Sequence, residues 1–508
     1  MATPSIAIIP SAYKEGVLAA VLPAPVYGEE LVTNGDFSDG STGWNAELGW
    51  SISDERAYAS TTSGGRELQS SAAIPIPNRN YLVSYEIVSI DNGSLKCRIG
   101  DTFGDINNSV GVKTQIITAS SNAIFRFLNH TTVCNATIDN VSVKEVIVAD
   151  ADLDFTRGST ATRINAQGLI EEVGVNVPRL DYSDGGCPSL LLEPQSRNLL
   201  TYSEDFSQWN KGLSTTISPN YAISPDGTQN ATRIQTPMGI GTYLSLAASM
   251  TIGSIYTLAL YLKNNGGENI DIGVSTSSSV GAKTASIEVN LTNEWVRYEL
   301  SFTADSNSNF VFIDNINNAN AIDCLVWGAQ LEEQSYATSY IPNYGTAEGI
   351  TRLADSASKT GLSSYINSVE GVLFFEGNVL SNSTGTARRI SLLKNGTSQQ
   401  IRIEYTSASN QIFAVLYDGT TNQCFISHTL SNSLSNNKIA FKYKENDFSL
   451  YVNGVKVGTD LIGTTLTSGN LDTLTLYAFS NYFYGNCKDL RVYNTALTDA
   501  ELIELTTI

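Results

Sequence analysis

The chain has 508 residues, 42% of them hydrophobic and only 16% charged. At roughly 100–200 residues per domain that length predicts about three domains, each with a real core and a surface of neutral Ser, Thr and Asn. The formal charge of −20, from 50 acidic against 30 basic residues, leaves no basic cluster larger than Arg388-Arg389 or Lys442-Tyr443-Lys444. That excludes a nucleic-acid-binding stripe and disfavours docking on an anionic membrane. No run approaches the ~18 apolar residues that membrane insertion needs.

Residues 1–30 carry Pro4, Pro10, Pro23 and Pro25 and are apolar without a period. They predict an extended arm that docks on something else. Their start lacks a basic n-region, so no signal peptide is expected. An internal repeat follows. Residues 31–44 read LVTNGDFSDGSTGW and residues 200–209 read LTYSEDFSQW. The closing stretches Thr137–Glu145 and Ala321–Glu332 also match, so two homologous domains are predicted over 31–148 and 199–355. Trp295–Ala304 alternates Trp295, Arg297, Glu299 and Ser301 with Val296, Tyr298, Leu300 and Phe302, the period of a half-buried antiparallel strand. Trp44 and Trp209 recur in the repeat and read as core plugs, and Trp327, on a closing strand, as core. Trp50 has no counterpart in the second copy and is a candidate binding contact.

The Asn34-Gly35-Asp36-Phe37 opening, the Trp295-to-Thr303 strand and the Ile138-Asp139-Asn140-Val141 close resemble the jelly-roll carbohydrate-binding modules attached to xylanases and related glycosidases. That resemblance implies glycan binding, with a structural calcium near the joined first and last strands and no other cofactor. The carboxylates in those places are Asp36 with Asp139, and Asp205 with Asp323. Ser38 and Ser207 stand where that family commonly has Glu.

Residues 149–198 read as an extended linker. Pro178, Pro188 and Pro194 punctuate it, and Leu190-Leu191-Leu192 needs burial, which suits a strand added to a neighbouring domain or subunit. The run from Asp154-Phe155-Thr156-Arg157-Gly158 to Asn198 resembles a segment recurrent in phage structural proteins, fibre-like ones in particular. Ala337–Asn343 and Thr351–Asp355 belong to the same pattern.

Residues 356–508 form the last predicted domain. Asn453-Gly454 between β-rich runs is the strongest short hairpin signal, and Thr498 with Glu501 fits a capping box for a short final helix. Tyr451-Val452-Asn453-Gly454 followed by DLRVYNTALTDAEL resembles the concanavalin A-like, laminin-G-type lectin sandwich. In this domain Tyr477, Tyr482, Phe483 and Tyr484 cluster in an Asn- and Gly-rich stretch. Alternation cannot bury all three of residues 482–484, so Tyr482 and Tyr484 are candidate contacts for a glycan or a protein partner.

Catalytic signatures are missing. His130 and His428 stand far apart, with no GxSxG elbow, HExxH or phosphate loop. Glu370 and Glu376 are the nearest approach to a glycosidase carboxylate pair. Six cysteines, none in a CxxC pair, read as reduced buried thiols, with Cys97–Cys134 or Cys424–Cys487 disulfides as the alternative. The expected architecture is all-β: three consecutive antiparallel β-sandwiches, two jelly rolls and one concanavalin A-like, behind an extended N-terminal arm. The expected role, implied by the resemblances, is a non-enzymatic phage fibre, spike or head-decoration subunit. It would be homotrimeric, anchored to other virion proteins by residues 1–30, assembled in the host cytoplasm and bound to surface glycans. A purely structural virion protein and a polysaccharide depolymerase are the alternatives.

Overall fold

Alternation decides most of the strands. In Asn80–Asn92, Tyr81, Val83, Tyr85 and Ile87 are buried while their neighbours are half-buried, as a pleated strand with one core face requires. The computed structural model describes the chain apart from residues 1–2, 11–19, 22–25, 74–75, 77–78, 121–123, 148–151, 238–241, 268, 281–282, 316–320, 383–384 and 479–480. It divides into two compact units, Ala24–Asp150 and Met1–Pro23 with Ala151–Ile508.

Among its described residues, the Ala24–Asp150 unit is two antiparallel sheets around one core. One runs Gly111–Thr118, Asn80–Asn92, Cys134–Ile147, Arg56–Thr61, Trp50–Ser53, and the other Thr102–Phe103, Leu95–Ile99, Ile124–Asn129, Glu67–Ala73, Trp44–Ala46. Val26–Glu30, placed in the arm by its sequence, is instead a strand of this sandwich, paired with Lys144–Ile147. Glu30 explains why: its carboxylate accepts the Leu31, Val32 and Val143 N–H groups and the Ser142 hydroxyl.

In the larger unit the second jelly roll repeats this strand order. Val296–Thr303, Ile255–Asn264, Ile322–Glu332, Ala231–Thr236 and Thr216–Ala222 form one sheet. Lys283–Val289, Ile270–Ser275, Ser308–Asp314, Tyr243–Ser249 and Asn210–Lys211 form the other. The plug is repeated too. Phe37 and Trp44 have ring centroids 5.2 Å apart, Phe206 and Trp209 5.1 Å, and each indole N–H donates to a backbone carbonyl, of Asn34 and Tyr202 respectively.

The C-terminal sandwich is larger than residues 356–508. Its first sheet runs Arg179–Asp181, Ser189–Leu192, Gly485–Tyr493, Glu370–Val379, Asn437–Lys444, Phe448–Val452, Val455–Asp460. Its second runs Asp154–Thr156, Ser356–Lys359, Thr473–Thr475, Arg388–Leu393, Gln400–Tyr405, Gln411–Tyr417, Asn422–Thr429. The rings of Phe375, Tyr405 and Phe483 meet between the sheets. As the buried triple Leu predicts, the 149–198 stretch adds strands to the neighbouring domain: Asp154–Thr156 to one sheet and Arg179–Asp181 with Ser189–Leu192 to the other, with Leu190–Leu192 buried beside Gly485–Cys487. Along the same edge, Ile6–Ile8 pairs with Leu490–Val492. This part of the predicted arm is thus occupied within its own chain, and residues 11–19 and 22–25 lie outside the described residues.

What joins these pieces is a buried ionic clasp. Arg179 donates to Glu193, Asp355 and the Ser339 hydroxyl. Arg352 reaches Glu193 at 2.6 Å, and Arg157 reaches Asp355 at 3.2 Å. All five charged side chains are at most 3% exposed. They come from the stretches on either side of the second jelly roll, residues 157–193 and 352–355. The Asn453-Gly454 hairpin forms with φ of 50° and 81°, and the final helix Asp499–Thr506 carries the Thr498/Glu501 capping box.

Candidate functional site

A hairpin of Tyr477–Ala478 against Asn481–Tyr482 follows the Thr473–Thr475 strand. It stacks three phenols in a ladder. Tyr477 and Tyr482 lie 5.3 Å apart at 19°, and Tyr482 and Tyr484 lie 5.7 Å apart at 2°. Phe483 points the other way into the core, as alternation demands. Tyr482 and Tyr484 are half-buried, and burial, with Tyr482 alongside, pushes the Tyr484 hydroxyl's pKa up, so it stays neutral.

Tyr477, 36% exposed, is the rung that meets open space. It walls a groove of about 560 Å³ with Ser358, Asn395, Ser398, Thr473 and Thr475. Thr475 fixes that rung, its hydroxyl donating to the Tyr477 carbonyl and accepting the Tyr477 N–H. Among the described residues no charged side chain lines the groove. Hydroxyls, an amide and one aromatic face suit a neutral, hydroxyl-rich ligand with an apolar ring face. Tyr482 and Tyr484 stand behind Tyr477 as its support. The groove walls come from residues 358, 393–398 and 473–475, a convergence that local sequence does not display.

The remaining candidates lie elsewhere. Trp50 is a correction: it is 6% exposed in the first jelly-roll core, its indole N–H donating to the Arg66 carbonyl, and is no surface contact. Trp44, Trp209 and Trp327 are buried. The four aspartates are held by protein donors. Asp36 and Asp205 each accept the N–H and hydroxyl of the Ser two residues on, so the repeated Asp-Phe-Ser is a turn cap. Asp323 takes a two-pronged ion pair from Arg233, plus Asn265 and Gln235. Asp139 accepts its neighbour's N–H and lies 3.8 Å from Arg56. These carboxylates do not fit a calcium cage. Among the described residues no group of three or more His, Cys, Asp or Glu is placed to hold a metal.

Glu370 and Glu376 lie on the other sheet, paired with Lys444 at 2.9 Å and with Asn436 at 2.9 Å. All six cysteines are free thiols. Cys187 is exposed, unlike the buried thiol expected of it.

Residues 378–503 match the model of the Concanavalin A-like lectin/glucanases superfamily. Comparison with curated proteins gives no match. Among solved structures, the CBM40 of a Ruminococcus gnavus IT-sialidase is 19% identical, covering 29% of this chain and 91% of its own, with a TM-score of 0.25. Domain 4 of the arabinanase AbnA from Geobacillus stearothermophilus is 14% identical, over 30% of this chain and 77% of its own, with a TM-score of 0.23. A CBM22 tandem from Paenibacillus barcinonensis is 10% identical, over 61% of this chain and 99% of its own, with a TM-score of 0.19.

Proposed function

We propose that this chain is a non-enzymatic, glycan-binding surface protein of a phage virion, a fibre, spike or head-decoration subunit. The observation that carries the glycan reading is the Tyr477–Tyr482–Tyr484 ladder beside an uncharged groove. A sugar ring lays its C–H face on Tyr477 and presents hydroxyls to Asn395, Ser398 and the threonines. The superfamily match over residues 378–503 supports a lectin-like role for the same domain. The resemblance of residues 149–198 to phage structural proteins supports the virion setting. The described lining of the groove holds no carboxylate pair, which favours binding over glycoside hydrolysis there. One shallow site is weak, so a homotrimer bound to other virion proteins would gain its hold by avidity.

A glycan array with the full chain tests this. Binding to neutral saccharides that Tyr477→Ala or Tyr482→Ala/Tyr484→Ala loses, at unchanged melting temperature, is the expected result. No binding at high protein density would leave a purely structural virion role. Falling viscosity of a capsule polysaccharide would identify a depolymerase.

A further inference from the structure

The uncharged groove beside Tyr477 does not end at its loop. Ser398 also lines a second cavity, of about 280 Å³, with Arg389, Gln400, Arg402, Tyr417 and Asn422. Ile390, Leu392, Ile401 and Ile403 are buried in the core, so alternation turns Arg389, Leu393, Gln400 and Arg402 to the opposite face of the sheet. Strand register makes the two cavities continuous on that face. Leu393 of the first pairs with Gln400 of the second, and Gln400 pairs with Tyr417. Thr475 pairs with Ser391 and Ser391 with Arg402, which puts Arg402 two strands, roughly 10 Å, from the Tyr477 groove.

Charge separates the two. Arg389 and Arg402 both donate their Nε–H to one oxygen of Glu404, at 2.7 and 2.8 Å. One carboxylate between two guanidiniums leaves a net positive spot in a chain of charge −20. Among the described residues the Nη groups of both arginines have no hydrogen-bond partner, and they are not sealed off from solvent. The two side chains are 18% and 13% exposed, in the cavity wall. Asp418, which follows Tyr417, is turned into its own loop, where it accepts the Thr420 and Thr421 N–H groups. A guanidinium whose inner nitrogen is anchored and whose outer pair is open is preset for a carboxylate.

We infer that the groove continues past Ser398 into an anion-binding subsite, and that the glycan held on Tyr477 carries an acidic sugar unit one or two rings along. Its carboxylate sits on the Nη groups of Arg389 and Arg402, with Tyr417 as a wall. The inference rests on the glycan reading of the Tyr477 groove. It narrows that reading to chains that place a uronic acid beyond a neutral unit.

Dose–response binding of the full chain to uronic-acid-containing oligosaccharides, each beside its carboxyl-reduced, neutral counterpart, tests it. The acidic forms should bind about tenfold more tightly, the lower end for hydrogen bonds to a charged group because the site is open. Arg402→Gln or Arg389→Gln should erase that preference and leave binding of the neutral forms unchanged. Arg402→Lys should restore only part of it, having charge without the fork. Rising salt should shrink the preference as well. Tyr477→Ala should weaken both forms alike. Equal binding of acidic and reduced forms by the parent would overturn the inference and leave the Tyr477 groove standing. A preference that survives both Gln variants, or Gln variants that weaken both forms equally, would also overturn it, the second by giving the arginines a packing role. Binding of neither form would remove the groove reading and this one with it.

Discussion

The two jelly rolls have one strand order and one Phe–Trp plug, yet they are anchored in opposite ways. The first closes on itself: its opening strand Val26–Glu30 pairs with its last strand, Cys134–Ile147, so chain enters and leaves at one place. The second is built into a larger body. Ser196–Asn198 before it pairs with Ile350–Arg352 after it, and the clasp ties both flanks to the C-terminal sandwich. Duplication preserved what fills the core, while the anchoring came from charged residues outside the repeat. The first module closes through its own first and last strands, and the second is inserted between strands of a larger unit.

The sharpest way to break this contrast is Arg179→Met. It strips both Glu193 and Asp355 of a buried partner and should cost about 3–5 kcal/mol. In a calorimetric scan the transition of the 151–508 body should fall while that of residues 24–150 stays in place. A single shifted transition would show that the two units melt together. Next come the plugs. Trp44→Ala and Trp209→Ala should each cost about 3 kcal/mol, the first lowering only the 24–150 transition and the second only the other.

A smaller, pH-dependent effect sharpens the same comparison. Arg352 and Arg179 outweigh the desolvation of Glu193 and hold its pKa down to about 2. A depressed carboxylate adds stability that is complete above its unfolded pKa of about 4.3 and is lost as pH falls through the folded value. The 151–508 transition should therefore weaken between about pH 4.3 and pH 2. Glu193→Gln should flatten that loss at the cost of lower stability at neutral pH.

Local signals were legible in the sequence and remote ones were not. Asn453-Gly454 and Thr498/Glu501 form as read, because a two-residue turn and a capping box carry their partners within a few residues. The Asp-Phe-Ser repeat was visible, but its meaning as a turn cap rests on hydrogen bonds that a spacing does not reveal. Trp50 reads as a contact because the carbonyl that receives its indole N–H belongs to Arg66, sixteen residues on in the loop before Glu67–Ala73. The 149–198 stretch reads as an added strand but does not show which strand it joins, because its partners lie 204 and 297 residues on, as in Asp154 with Ser358 and Leu190 with Cys487. Tyr482 and Tyr484 were singled out by crowding, yet the groove that makes Tyr477 the outward rung depends on segments from three separate parts of the domain.

The most direct test of the account is a crystal structure of the full chain with a neutral oligosaccharide selected on the array. The account predicts one sugar ring stacked on Tyr477, with its hydroxyls on Asn395, Ser398 and Thr473. Sugar bound on a jelly-roll face, with the groove beside Tyr477 empty, would contradict it.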